Sequence, residues 1–237
     1  MKIIEWNIRQ GGGTRISSIS DSIRNHDADY YVLTEYRNNM NGLELIETMA
    51  KNGYGYHFAA QADKNKNTVM IASKHDFSAT LFPEELGDKD SSVIRIENEE
   101  LVLYGTYFPQ KKEKEKIFEF LLKEMAIENS KPTIFIGDFN TGKPFLDEEK
   151  NTFYCSKYMD VIEQRGYVDA WRHVHQDKRE FTWYSNKGNG FRIDHTFIHS
   201  SHKNNIVGCD YSHEVRINRF SDHSMMEIEI ADNRKSL

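Results

Sequence analysis

Short apolar runs, several alternating with polar residues, recur along the whole chain and predict a protein rich in β-strand. Met226-Glu227-Ile228-Glu229-Ile230 shows the pattern plainly. Side chains two apart share a face in extended chain, so one face of this run is apolar and the other charged. Similar runs predict strands over Ile3 to Ile8, Tyr30 to Glu35, Thr68 to Ser73, Ser92 to Glu97, Leu101 to Phe108, Thr133 to Phe139, Phe181 to Tyr184, Ile193 to His199 and Met225 to Ile230. Glu97-Asn98-Glu99-Glu100 reads as a hairpin turn between two of them. Helical spacing is rarer. Ile16, Ile19 and Ile23 share one face; Leu43, Ile46, Met49 and Ala50 share another, closed by Asn52-Gly53. Ile117, Phe118, Leu121, Leu122 and Met125 form a third stripe, and Tyr158, Val161 and Ile162 a fourth that stops at Gly166. Many hairpin-joined strands with a few interspersed helices predict a two-sheet sandwich with helices outside, rather than a doubly wound parallel sheet.

Polar residues gather at the ends of these runs. Asn7 follows Ile4-Glu5-Trp6, Glu35 ends Tyr31-Val32-Leu33-Thr34, and Tyr107 stands before Phe108-Pro109. Asp138 and Asn140 close Ile134-Phe135-Ile136-Gly137, two residues apart and so on one side of an extended chain. Asp194 lies inside an apolar run, where a carboxylate is costly unless paired or metal-bound. Arg192 and His195 are its nearest partners in sequence, as Arg37 is for Glu35. Asp222-His223 precedes the last strand. Asp, Asn and Gly also favour turns for conformational reasons alone, so each of these positions has an ordinary structural explanation.

Size and charge narrow the picture. With 237 residues and no internal repeat or Pro/Ser-rich linker, a single domain spanning 1–237 is expected. The start, Met1-Lys2-Ile3-Ile4-Glu5-Trp6, predicts no secretory leader. No uncharged stretch reaches the roughly 20 residues a membrane span needs. Two cysteines, Cys155 and Cys209, lack zinc or redox spacing, which fits a reducing cytoplasm. The net charge of −6 argues against a protein that grips nucleic acid mainly through phosphates. Any basic patch is local, with Arg216 and Arg219, and Lys64 and Lys66, as candidates. The mixed run Lys111 to Lys116 is expected to be a solvated helix start.

The ordered series Trp6-Asn7-Ile8, Leu33-Thr34-Glu35, Thr106-Tyr107-Phe108-Pro109, Gly137-Asp138-Phe139-Asn140, Gly166 to Arg172, Phe181 to Ser185, Phe191-Arg192-Ile193-Asp194 and Ser221-Asp222-His223 resembles the endonuclease/exonuclease/phosphatase superfamily. Within it, the branch of exodeoxyribonuclease III and the abasic-site endonucleases is nearest. The resemblance implies an α+β, four-layer α/β/β/α sandwich of the deoxyribonuclease-I type, with its site at one edge. It implies Mg²⁺ (with Mn²⁺ as a substitute) on Glu35, assisted by Asn7 and Asp222. His223, oriented by Asp194, would meet the scissile phosphate, and Asp138 would align and deprotonate water. Asn140 and Tyr107 would donate to phosphoryl oxygens, while Trp183, Phe191 and Ile193 would enclose a base-free sugar, with DNA as the substrate. Arg9, Arg37, Gln110 and His195 depart from the repair pattern. With the acidic balance they keep a smaller phosphodiester (nucleotide, lipid headgroup or sugar phosphate) as the alternative, and a non-catalytic binding protein as a remote one. Neither a membrane nor an obligate protein partner is implied.

Overall fold

The computed structural model describes residues 1–231. In chain order its elements are β1 (Lys2–Asn7), α1 (Ile16–Asn25), β2 (Tyr30–Tyr36), α2 (Met40–Lys51), β3 (Tyr56–Ala59), β4 (Thr68–Ser73), β5 (Ser78–Thr80), α3 (Pro83–Leu86), β6 (Val93–Glu97), β7 (Val102–Tyr107), α4 (Glu115–Glu124), β8 (Thr133–Asp138), α5 (Lys157–Gln164), β9 (Tyr167–Asp169), α6 (Ala170–His175), β10 (Trp183–Tyr184), β11 (Gly190–Phe191), β12 (Asp194–His199), β13 (Ile206–Ser212), α7 (Glu214–Ile217) and β14 (Met225–Ile230). Two six-stranded sheets form, in the orders β13-β14-β1-β2-β4-β3 and β5-β6-β7-β8-β12-β9, with β10 and β11 as a separate hairpin.

Strands that are apolar on both faces need cover on both sides, and that dictates the layering. Ile3, Val32 and Ile71 of the first sheet meet Ile94, Leu103, Ile134 and Ile136 of the second in a central core. On the outer face of the first sheet, Ile4, Trp6 and Leu33 pack on Ile16, Ile19 and Ile23 of α1 and Leu45 and Met49 of α2. Beyond the second, Phe135 and Phe197 pack on Ile117, Phe118 and Leu121 of α4 and Tyr158, Met159 and Ile162 of α5. Each such side chain, fully buried, contributes about 1.5–3 kcal/mol. The result is the expected α/β/β/α sandwich. Gly105 faces the other sheet closely, since a Cβ there would lie 2.9 Å from Val32 Cγ1.

The differences from the sequence pattern are local. On α2 the buried face carries Leu45 and Met49, while Leu43 is 55% exposed, so the stripe is rotated from the one expected. The cause is at the helix start, where Gly42 packs directly on Tyr36 and the Arg37 carbonyl. Of Phe181 to Tyr184 only the last two residues pair, with β11. The strands β3, β5, β9, β11 and β13 lie outside the predicted runs. The first two are short and mostly exposed or half-buried, and so carry little alternation. The turn at Asn98 is as expected, its side chain accepting from the Glu100 and Leu101 N–H groups.

Topology explains where the polar strand ends meet. The pairs β1–β2 and β7–β8 are each parallel, so Asn7 and Glu35 finish together, as do Tyr107 and Asp138. Antiparallel β12 begins with Asp194 directly opposite Asp138. At the last turn of β8, Gly137 has φ +155, and a Cβ there would fall 1.8 Å from the Thr106 carbonyl oxygen, so no larger residue fits. Among the described residues no helix is long and apolar enough to cross a membrane.

Candidate active site

Asp138 lies at the centre, almost fully buried. Asn7 Nδ2 donates to its Oδ2 at 2.9 Å, and the Asn140 backbone N–H donates to its Oδ1 at 2.8 Å. Asn140 Nδ2 adds a longer bond at 3.2 Å. Both Asn140 and Glu35 hold left-handed backbone conformations, φ +51 and +55. Non-glycine residues there are strained, and such strain concentrates at functional sites. At Glu35 the β2–β4 register slips between Thr34 and Tyr36, which turns the carboxylate to the sheet edge. Its Oε1 accepts from Asn7 Nδ2 and the Tyr107 hydroxyl, both at 3.3 Å, and its Oε2 from the Gln10 N–H at 2.7 Å. Arg37, the partner in sequence, instead donates to Asn67, whose amide reaches Tyr107 at 3.4 Å.

His223 and Asp194 form the second half of the centre. The ring Nδ1 lies 3.0 and 3.1 Å from the two Asp194 oxygens, which holds the imidazole by that nitrogen and leaves Nε2 for chemistry. Arg192 and His195 both bind elsewhere, so neither neutralises Asp194. Burial pulls the His223 pKa down, but Asp194, Asp138 and Asp222 together outweigh it and push it up to about 10. Burial raises Asp138 to about 7, helped by Asp194 and Glu35 and opposed by the His223 charge and the Asn140 N–H. The Tyr107 phenol is also raised, by burial and then by Glu35 and Asp138, and stays protonated. Asp138, Asp194 and His223 offer ligand atoms all within 4.8 Å of one another, a buried group that could bind a metal.

A cleft of about 410 Å³ opens beside these groups. Trp183, Phe191 and Ile193 line it, as do Glu35, Asp138, Asn140, Asp222 and His223. The Trp183 indole donates to Asp222 Oδ2 at 3.2 Å, and Arg9 lies 3.6 Å from the same oxygen. Asn140 donates both to the Phe108 carbonyl and to Asp138, so its amide hydrogens are engaged within the protein. The Asn7 amide oxygen accepts from the Arg9 N–H at 2.9 Å, so its nitrogen is what faces the carboxylates. Of the basic candidates, none of Lys64, Lys66, Arg216 and Arg219 lines the cleft. Lys66 donates to the Asp88 carbonyl, and Arg216 lies over the Tyr184 ring.

Sequence reasoning missed several groups. Lys114, expected on a solvated helix start, is 1% exposed, lines the cleft and donates to the Asn140 carbonyl. Burial lowers its pKa to about 8, against the pull of Asp138. Thr152, Phe153 and Tyr154 supply a further wall. Glu5 is fully buried on the same face of β1 as Asn7, with Oε1 accepting from Thr34 at 3.0 Å. Its Oε2 has no partner among the described residues. Burial, then Asp194 and Asp138, push its carboxyl well above the usual range. The argument that singled out Asp194, a carboxylate inside an apolar run, applies equally to Glu5.

A sandwich that gathers Asp, Asn, His and Tyr at one sheet edge defines a class of phosphoester-cleaving enzymes. The chain belongs to the Endonuclease/Exonuclease/phosphatase family, whose model matches residues 4–223, and it is a hydrolytic phosphodiesterase. No curated protein is significantly similar to it in sequence. Among solved structures it is similar to the 3′-5′ exonuclease NExo from Neisseria meningitidis, with a TM-score of 0.84 at 20% identity over 98% of this chain and 100% of that one. A 3′ phosphatase NExo variant from Neisseria bound to product DNA hairpin gives 0.83 at 20% over the same shares. An AP endonuclease from Archaeoglobus fulgidus gives 0.80 at 18%, covering 97% of this chain and 99% of that one.

Proposed function

We propose that the protein is a Mg²⁺-dependent nuclease of the DNA-repair type, cutting phosphodiesters at abasic sites or 3′ ends by in-line attack of water. The observation that carries this reading is the meeting of Asp138, gripped by Asn7 at 2.9 Å, with the Asp194–His223 pair at one sheet edge. The likeness in fold to exonuclease, 3′ phosphatase and AP endonuclease structures supports DNA as the substrate. The free thiols of Cys155 and Cys209 fit the cytoplasm we assign it.

Glu35, Asp138 and Asp222 bring carboxylate oxygens to the cleft, the donor type a hard divalent cation takes. Glu35 and Asp222 would hold Mg²⁺ (or Mn²⁺), with Asn7 acting through its NH2 to steady the Glu35 carboxylate rather than as an oxygen ligand, and the ion when bound would supply charge neutralisation at a phosphoryl oxygen. Asp138, fixed by Asn7 and the Asn140 N–H, takes the proton of the attacking water. His223, held by Asp194, meets the negative charge that develops on the phosphoryl group. Tyr107 keeps its proton and donates it as a hydrogen bond to the phosphate. Asn140 orients Asp138 and turns one amide hydrogen to a phosphoryl oxygen when substrate enters. Trp183, Phe191 and Ile193 enclose the sugar.

A second reading keeps this chemistry on a smaller phosphodiester. It is favoured by the net charge of −6 and by the absence of Lys64, Lys66, Arg216 and Arg219 from the cleft wall. The deciding experiment is cleavage of a labelled duplex with one abasic site, in Mg²⁺ or EDTA, beside Asp138→Asn. An intact duplex and a chromogenic phosphodiester run in parallel. Metal-dependent incision at the lesion or loss of nucleotides from a 3′ end, absent in Asp138→Asn, is the expected result. Cleavage of the chromogenic ester alone would move the assignment to the second reading.

A further inference from the structure

Lysines are almost never fully buried without a carboxylate partner. Lys114 is buried, and among the described residues it forms no ion pair; its ammonium donates to a neutral acceptor, the Asn140 carbonyl. We infer that Lys114 is a positioning residue for hydrolysis, its ammonium locking the left-handed turn at Asn140 that holds Asp138 in place. This rests on the role proposed above for Asp138 and names what fixes it.

The turn needs such a lock. Asn140 has φ +51, a conformation that a non-glycine residue keeps only where its surroundings over-determine it. The turn supplies the N–H bond to Asp138 Oδ1 at 2.8 Å, from two residues further along the chain. Relaxation toward the right-handed or extended region would swing that N–H off the carboxylate. Before the turn the chain is anchored by two backbone bonds. The Phe108 N–H donates to the Asp138 carbonyl at 2.9 Å, and the Phe139 N–H to the Ile193 carbonyl at 2.8 Å. After it, His195 Nε2 lies 2.8 Å from the Thr141 carbonyl, and the Thr141 hydroxyl donates to the Tyr154 carbonyl at 2.9 Å.

Asn140 itself is gripped from the segment Phe108 to Lys114. Its Nδ2 donates to the Phe108 carbonyl at 2.8 Å, and its Oδ1 accepts from Gln110 Nε2. Both of those bonds hold the side chain. Among the described residues Lys114 is the only donor to the Asn140 carbonyl, so it alone fixes the main chain on the far side of the Cα. With both flanks anchored, a pinned carbonyl leaves φ and ψ little room to relax.

Holding a neutral carbonyl with a buried ammonium costs stability. Burial brings the Lys114 pKa down to about 8, so the fold disfavours the charged form that the unfolded chain carries. A side chain kept only to fill space would be better apolar. What the ammonium adds is a charge-assisted hydrogen bond, roughly twice as strong as a neutral one, with Asp138 favouring the charged state.

The test compares wild type, Lys114→Met, Asp138→Asn and the exposed neighbour Lys112→Met. It measures kcat and KM in Mg²⁺ on the abasic duplex and the chromogenic ester, melting temperature, and hydrogen exchange of the Asn140 amide by NMR. Lys114→Met is expected to lower kcat by about 10- to 100-fold with KM within about 3-fold. Its melting temperature should be unchanged or higher, while the Asn140 amide exchanges at least about 10-fold faster. Lys112→Met should match the wild type throughout. Wild-type kcat in Lys114→Met, a rise in KM at unchanged kcat, or a kcat loss matched by a lower melting temperature would each overturn the inference. Where neither substrate is turned over, exchange decides: an Asn140 amide as protected in Lys114→Met as in the wild type overturns it. An inactive Asp138→Asn beside a fully active Lys114→Met removes this inference alone, whereas a fully active Asp138→Asn removes the role of Asp138 and the inference with it.

Discussion

Two buried ionic clusters meet along β12, and they differ in one residue type. In the first, Asp147, Asp169 and His195 surround Arg192, which donates to Asp147 at 2.7 Å and to Asp169 at 2.7 and 3.2 Å. In the second, Asp138, Asp194 and His223 meet with no arginine, and Glu5 adds a third acid with an unpartnered oxygen. Both clusters are removed from water. In the first, burial pushes the carboxyls up, but Arg192 and His195 more than reverse it, leaving Asp147 below and Asp169 well below the usual carboxylate range. In the second, Asp138 is carried up to about 7 and Glu5 well above its ordinary value. Burial alone does not mark function. The mark is an uncompensated surplus of one charge beside a cleft, because only that leaves groups poised to take a proton or a cation.

The comparison is most sharply tested at Asp138. Replacing it with Asn should lower kcat by about 1,000-fold or more, the upper part of the range for a general base. Steady-state kinetics on the preferred substrate checks this, and wild-type turnover would remove Asp138 from its role. The balanced cluster should respond in stability instead. Arg192→Met removes the shared cation of two buried carboxylates, leaving Asp147 to Arg172 and Asp169 to His195, and should cost about 3 kcal/mol in a denaturant melt; a loss under about 1 kcal/mol would show that the cluster is solvated after all.

Glu35→Ala should weaken Mg²⁺ binding by about 10-fold or more, read by calorimetric titration, while Asp138→Asn leaves that affinity largely intact. Equal losses in the two variants would merge their roles. The smallest effect is in pH. Asp147 and Asp169 are depressed when folded, so their stabilisation is complete above the unfolded carboxylate pKa of about 4 and is lost as pH falls through it toward the folded values. An acid-induced loss on the order of 2 kcal/mol between about pH 5 and 2 should appear in the wild type and flatten in Arg192→Met. Parallel acid curves for the two proteins would place the acid sensitivity elsewhere.

Much of the site was legible because it sits where apolar runs stop. Asn7, Glu35, Tyr107 and Asp138 each interrupt a strand pattern, and a parallel pair must end its strands together. Asp194 was legible as a carboxylate that needed a partner, but the partner was ambiguous. Arg192 and His195 stood closest in sequence, and the structure gives them to Asp147 and Asp169 while His223, 29 residues away, takes Asp194. Lys114 was misread because a mixed-charge helix start normally faces water; here the short turn before α4 folds it back under Asn140. Tyr154 belongs to no periodic element and gave no signal.

The sequence by itself determined the strands, the helices that cover them and the polar groups at the strand ends, since period-two burial and strand ends are local properties written residue by residue; that those ends share one sheet edge came from the family resemblance. Tertiary structure alone decided which acids are neutralised and which are left in surplus. It also decided which lysine is buried and which aromatics stay uncovered. Those outcomes depend on side chains brought together from distant parts of the chain, where electrostatic energy falls with distance in space and takes no account of separation along the sequence.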